Sequence, residues 1–384
     1  MAPDRIEILF LIDYFHRTGG TEKHLVQLIA GLPAERFRAR VVVFDMGDNP
    51  LLEQLRARGV EVLHLPVGRE YVPHAWLQAV RLARLLRRAR SDIVQCYHQK
   101  SDTYGALVAR AAGVPVLISS KRDTGELRKP LHVFLNRRLR GLFNAFIMAA
   151  DGVRAAVVAR DHLPGERVVT IYNGVDTAHF RPPSATERAA ARAALGCAPG
   201  DFVVGMVAGF RPEKSHEVFF AALERVALQV PALRVVAVGG GELLEPLRAR
   251  LAATPLGART LFTGAVAETR PYVWTFDVGC LTPAANEGFS NAVIEQMACG
   301  VPMIVTDVGG NAEAVRQGID GTVIPAADPD ALAAALLQAW RDPAARAAQA
   351  SAASARVSER FSLERMCAEH VRLYLSLCRA AGRA

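Results

Sequence analysis

The residues best suited to chemistry lie between Asn286 and Glu295. Asn286-Glu287-Gly288-Phe289-Ser290-Asn291 follows a short apolar run and leads into a helical stretch, Ala292–Cys299. Ser290 or Asn291 suits a helix N-cap, so the loop before it should offer free backbone N–H groups to an anion or a hydroxyl. Glu287 falls in the loop and Glu295 about one turn into the helix. The two carboxylates can therefore face one ligand at different depths, as a hydroxyl-rich sugar requires. A solvated Glu295 and an ordinary turn at Gly288 account for the same spacing, since capped helix starts are common.

Gly209-Phe210-Arg211-Pro212-Glu213-Lys214 follows the strand-like run Val203–Ala208. Arg211 can grip a diphosphate in a bidentate fork and Lys214 as a compact charge. Taken alone, an exposed basic turn explains this segment better. Val238-Gly239-Gly240-Gly241-Glu242 is a strand that runs into a glycine loop, but Leu244 breaks the G-x-G-x-x-G pattern and disfavours a dinucleotide site. Phosphate approach at Gly239 and Gly241 and a plain tight turn both remain open. Thr18-Gly19-Gly20-Thr21 follows the first strand and opens a helix, where glycines bring backbone close to a ligand and the helix start favours negative charge. A structural turn serves there nearly as well.

These loops need a frame, and short apolar runs alternating with amphipathic helical stretches supply it. The runs are Ile6–Ile12, Ala39–Phe44, Glu61–Leu65, Ile93–Tyr97, Val114–Ser119, Ala145–Met148 and Val168–Ile171, then Phe202–Ala208, Leu233–Val238, Thr260–Phe262, Val278–Leu281, Met303–Thr306 and Thr322–Pro325. Strands apolar on both faces and separated by helices predict parallel sheets covered by helices. The alternation breaks over residues 177–200, where Arg181-Pro182-Pro183 and an Ala/Arg-rich stretch predict a linker. The end reads as helix from Asp328 to Ala380 with a break near Asp342-Pro343. At 384 residues, 22% of them charged and 51% hydrophobic, the chain suits two globular α/β domains, each with its own core. Ligands of such sheets bind at the carboxyl ends of strands.

In their order, these segments strongly resemble the family-four retaining glycosyltransferases of the GT-B fold. The matching residues are Gly19-Gly20, Tyr172-Asn173-Gly174-Val175-Asp176, Arg211 and Lys214, Gly239 to Glu242, Thr263-Gly264, Glu287 with Glu295 as an E-x7-E pair, and Asp307-Val308-Gly309-Gly310. Each motif is weak alone; their joint order is specific. The resemblance implies two Rossmann-like doubly wound domains facing across a cleft, an acceptor domain at 1–180 and a donor domain at 181–361, with the last helix (362–384) crossing back onto the first. It implies that Arg211 and Lys214 hold the diphosphate of a nucleotide-sugar donor. Glu287 with Gly288, Phe289, Ser290 and Asn291 would meet the transferred sugar, Glu295 the ribose, the backbone near Ala265-Val266 the base, and Gly20 the diphosphate. No metal and no cofactor are expected, and the anomeric configuration would be retained. The acceptor would be a glycan or a lipid-linked glycan of surface polysaccharide or glycolipid assembly.

One segment departs from the family. Many members carry a histidine after the strand equivalent to Val116–Ser119, whereas this chain reads Ser119-Ser120-Lys121-Arg122-Asp123, with Arg122 near the histidine's place. Lys121, Arg122 and His98 are candidates for the acceptor or sugar pocket, and the change signals an acidic group on donor or acceptor, or a subfamily variation.

The net charge of +8 favours anionic partners. Basic residues gather at 81–90 and, mixed with Leu131, Phe134, Leu135 and Leu139, at 128–140. A solvated helix face explains the first; the second fits an anionic membrane surface or a lipid-linked acceptor. Nucleic acid is not expected, since no recognised binding motif accompanies the charge. Six scattered cysteines and the brevity of the first apolar run predict a cytoplasmic protein with reduced thiols, peripheral on a membrane at most. A nucleotide-sugar epimerase and a non-catalytic sugar-nucleotide or membrane-binding module stay open as alternatives.

Overall fold

The computed structural model describes residues 5–16, 19–68, 73–126 and 128–383. Thr18 of the first glycine loop lies outside the described residues, as do the expected domain limits at 1 and 384. The chain divides into two compact units, residues 1–174 with 363–384, and residues 175–362.

Among the described residues the first unit holds seven strands: β1 Ile6–Phe15, β2 Phe37–Met46, β3 Glu61–His64, β4 Ile93–Tyr97, β5 Val116–Lys121, β6 Ala145–Met148 and β7 Val168–Thr170. They pair in the order β3-β2-β1-β4-β5-β6-β7, every pair parallel. The expected apolar runs lie at the centre, with Leu9 to Ile12 and Val41 to Val43 fully buried, as strands covered on both faces must be. Register sets Leu11 opposite Cys96, and Ser119 opposite both Cys96 and Phe146. The C-terminal helix Leu363–Ala380 belongs to this unit. Met366, Cys367, His370, Tyr374 and Cys378 form its buried stripe at helical spacing. Tyr374 donates from its hydroxyl to Gln95 Oε1 at 2.5 Å, and Gln95 Nε2 donates to Tyr97 at 2.8 Å. These bonds satisfy polar groups beneath the sheet. Gly31 lets the helix approach, since a Cβ there would sit 2.3 Å from Cys367 Sγ.

The second unit holds β8 Phe202–Val207, β9 Leu233–Val238, β10 Thr260–Gly264, β11 Val278–Leu281, β12 Met303–Thr306 and β13 Gly321–Ile324. Their order is β10-β9-β8-β11-β12-β13, again all parallel. Both sheets are doubly wound, as the alternation of runs predicts.

The stretch 177–200, expected as a linker, contains the helix Ala185–Ala194. A capping box between Ser184 and Glu187 opens it. Its Arg188 and Arg192 close on Asp277 at 2.9 and 2.5 Å, which fastens it to the second unit. Alanine's helix propensity and this fork outweigh the flanking prolines, which fall just before the cap. At the other end the helix breaks twice, at Asp342, which caps Pro343–Arg360, and again before Leu363.

Candidate active site

In the second sheet the strand order reverses between β8 and β11, and the loops leaving these two neighbours lie at the carboxyl edge, where ligands of parallel sheets bind. Those two loops carry Arg211 with Lys214, and Glu287.

After β8 the chain makes a short 3-10 turn at Pro212–Lys214 before the helix His216–Ala227. Phe210 is fully buried and stacks on His216 with ring centroids 4.0 Å apart, which plugs the loop into the core. Burial first, and the charge of Lys214 second, hold the His216 imidazole neutral, down to about 4. Arg211 stays 44% exposed, its Nε 3.4 Å from Glu213. Lys214 turns inward and forms an ion pair with Glu287, the two side chains 16% and 11% exposed. Such a desolvated pair holds only while both partners are present, because losing one strands the other. The Glu213 carbonyl accepts from Ala284 N–H at 3.2 Å, a second tie between the loops.

Glycines let the loops interlock. Gly239 and Gly241 take φ of 145° and 150°, and a Cβ would lie 2.0 Å from the Ala208 carbonyl oxygen and 2.4 Å from that of Phe210. Phe210 N–H donates to Gly240 at 2.9 Å, and Leu243 N–H to Phe210 at 3.1 Å. The close approach at Gly239 and Gly241 is thus of backbone to backbone, and it fixes the arm that presents Arg211 and Lys214. Gly309 does the same for the acid: at φ 62°, its Cβ would lie 2.2 Å from the Glu287 carbonyl oxygen. Gly310 N–H donates to the Gly288 carbonyl at 2.6 Å.

Glu287, Phe289, Ser290 and Glu295 are buried, Gly288 is buried with them, and Asn291 is partly buried. Glu295, on the helix Asn291–Ala298, is 5% exposed, which removes the account of it as a solvated helix residue. Ser290 occupies the N-cap position, but its side chain makes no capping hydrogen bond. Val266 is partly buried in the loop after β10, and its neighbour Ala265 borders the glycine loop, 3.1 Å from where a Gly240 Cβ would stand. The second unit therefore gathers Arg211, Lys214, Glu287 and Gly288 at one edge, with Gly239 and Gly241 as their support.

The other candidates belong to the first unit, whose order reverses between β1 and β4. Gly19 precedes the helix Gly20–Gly31, and a Cβ on it would meet the Glu22 carboxylate at 2.5 Å. A buried acid of the chain itself thus lies at this helix start, where an anion is favoured. His98 follows β4 with φ 72° and stacks on Tyr14 at 4.3 Å. Desolvation, then the charges of Arg128 and Arg122, depress its pKa to about 3. Lys121, the last residue of β5, lies 2.6 Å from Asp102, both nearly fully buried. Arg122 comes next, at the strand's carboxyl end.

Sequence reasoning missed Asp13, which lies within β1 near its carboxyl end and accepts from Lys100 and Ser101 N–H at 2.6 and 2.7 Å. It thereby holds the turn after His98, while burial pushes its carboxyl up to about 7 against those bonds. An acid directly after the run Ile8–Ile12 was the available signal. Asp102, Phe210 and His216 also went unmarked, since side chains that position others leave no spacing pattern.

Residues 201–342 match the family model described as glycosyl transferases group 1, and residues 18–179 match that of glycosyltransferase family 4. The D-inositol 3-phosphate glycosyltransferase of Thermobispora bispora is 33% identical over 317 residues, 77% of this chain and 73% of that protein. Its namesake in Mycobacterium avium (strain 104) is 33% identical over 222 residues, 56% of this chain and 51% of the relative. The match thus spans about half the length of several curated relatives. Among solved structures, Anabaena Alr3699/HepE in complex with UDP superposes with a TM-score of 0.86 at 22% identity, covering 97% of this chain and all of the other. Its complex with UDP-glucose gives 0.83 at 23% identity, with the same coverage.

Proposed function

This chain belongs to glycosyltransferase family 4, among the group 1 glycosyl transferases, with their GT-B fold, and from that premise we propose that it transfers a sugar from a UDP- or GDP-linked donor with retention of configuration. The observation that carries the proposal is the desolvated Lys214–Glu287 pair at the carboxyl edge of the second sheet. In this reading Lys214 and the more exposed Arg211 neutralise the donor diphosphate and the charge that grows on the leaving group, without a resident cation. Glu287 and the backbone from Gly288 to Ser290 hold the transferred sugar, Glu295 the ribose, and the backbone at Val266 the base. A donor phosphate drawn to Lys214 would share the ammonium with Glu287 and turn that carboxylate toward sugar hydroxyls. The leaving phosphate would accept the acceptor's proton during attack from the same face. HepE's complexes with UDP and UDP-glucose support a nucleotide-sugar donor.

The acceptor is proposed to be a glycan or lipid-linked glycan, met at a membrane. On the first unit, Trp76, Leu77 and Val80 are exposed on the helix Pro73–Arg88, which also bears Arg81, Arg84, Arg87 and Arg88. Leu131 and Phe134 are exposed on Pro130–Leu139, with Arg138 stacked 5.1 Å over Phe134. Apolar anchors beside cations fit the headgroup boundary of anionic lipid. Among the described residues no helix is long and apolar enough to cross a membrane.

Thermal unfolding with UDP, GDP and their sugar conjugates tests the donor half, and nucleotide release with a glycan acceptor tests transfer. Stabilisation by one nucleotide and acceptor-dependent release are expected. Stabilisation without release from any donor would instead leave a binding module, and donor conversion without acceptor an epimerase.

A further inference from the structure

Arg122 stands at the carboxyl end of β5, one strand from the reversal between β1 and β4, on the edge of the first sheet where ligands of parallel sheets bind. Its Nη1 is buried and makes no hydrogen bond. Nearby acids are engaged elsewhere: Asp102 with Lys121 at 2.6 Å, and Asp161, fully buried, with Arg128 at 3.3 Å and Arg160 at 3.2 Å. Asp123, next in sequence and partly exposed, acts on the charge of Arg122 and also lies 3.7 Å from Arg128. Two further guanidinia close on the loop that follows Arg122. A Cβ on Gly125 (φ 70°) would meet both Arg128 Nε and Arg160 Nη2 at 2.7 Å, so only glycine admits them. Arg160 Nη2 is likewise buried without a hydrogen bond. His98 feels the charges of both Arg122 and Arg128 and stays neutral beside them.

An Nη1 buried without a hydrogen bond is costly unless something occupies the fork, and carboxylates and phosphates match that fork in shape and charge. We propose that Arg122, backed by Arg128 and Arg160, is a specificity-determining site for an anionic group, carboxylate or phosphate monoester, carried by a substrate. The group comes either from the donor, as a uronosyl carboxylate, or from the acceptor, as a phosphate. The identity of its carrier, though not the anion site itself, rests on the glycosyl-transfer reading above.

Calorimetric titration of the full chain with UDP, inorganic phosphate and glucuronate, at constant ionic strength, tests the site. Wild type should bind phosphate or glucuronate, and Arg122→Gln should weaken that binding at least tenfold while its UDP affinity stays within twofold. Arg122→Lys, which keeps the charge but loses the fork, should fall between them. UDP-glucuronate and UDP-glucose then separate the sources. A wild-type preference for UDP-glucuronate that Arg122→Gln abolishes places the anion on the donor. Equal binding of the two, with phosphate binding to the UDP-loaded enzyme lost in the variant, places it on the acceptor. Should neither anion bind wild type while UDP does, or should Arg122→Gln and Arg122→Lys both bind the anion as wild type does, the site is overturned. Failure of UDP to bind would count against the donor reading instead. Should Arg122→Gln not fold, the wild-type titration and Arg122→Lys still decide.

Discussion

The two sheets share one winding, reversing at β1/β4 and at β8/β11, yet their carboxyl edges are built differently. At the second, backbone meets backbone: Gly239, Gly241 and Gly309 bring loops into contact too close for any Cβ, and one ion pair joins Lys214 to Glu287. At the first, side chains do the holding, with Asp13 accepting from the turn after His98, Lys121 set on Asp102, and two arginines closing on Gly125. Backbone contacts restrict which residues are tolerated and suit a ligand part that stays constant, such as a diphosphate. Side-chain constellations change with single substitutions and suit a part that varies from one relative to the next.

The sharpest way to break this contrast is at Lys214. Lys214→Ala should lower turnover by about 10²–10³, the usual effect of removing one preorganised group that stabilises developing charge. Nucleotide release at saturating donor measures it, and an unchanged rate would remove the proposed role. Next comes the support. Gly309→Ala adds a Cβ at positive φ against the Glu287 carbonyl, so stability should fall by about 1–3 kcal/mol, with a loss of turnover of roughly tenfold, seen as a lowered Tm and kcat. A Gly125→Ala variant of the first unit, by contrast, should leave UDP affinity intact, because the atoms its Cβ would meet belong to the Arg128 and Arg160 side chains.

The buried histidines of the first unit offer a pH test. Burial holds His370 down to about 4 and His24 well below its ordinary value. The unfolded chain takes up these protons near pH 6.5, before the native state does. The stability they confer is thus whole above about pH 6.5 and is lost as pH falls toward 4. Denaturant titrations between pH 7.5 and 4.5 should show this decline, and His370→Gln should flatten it. An identical slope in that variant would assign the pH dependence to other groups. The smallest effect belongs to the surface: Trp76→Ala should reduce co-sedimentation with vesicles rich in anionic lipid by a few-fold without altering unfolding, since Trp76 is 74% exposed.

Much of the frame was legible in the sequence because buried parallel strands need continuous apolar runs. Ile93–Tyr97, Ala145–Met148, Leu233–Val238, Val278–Leu281 and Met303–Thr306 fall where those runs do. The misplacements have local causes. β5 starts at Val116 instead of Val114 and runs to Lys121, a cation no apolar pattern would include, because Asp102 neutralises it inside the unit. The helix Ala185–Ala194 hid behind two prolines.

By itself the sequence determined two doubly wound sheets and the loops that carry cations and acids, since both follow from local composition and order along the chain, and its ordered motifs carried the resemblance to the family. Only the tertiary structure decided that Lys214 answers Glu287 across 73 residues, that Gly309 is the seat of Glu287, and that Lys121 has an acid while Arg122 has no hydrogen-bond partner at Nη1. Pairing of charges depends on which loops the sheet order makes neighbours, and desolvation depends on what covers them. Neither quantity is a property of residues taken in sequence.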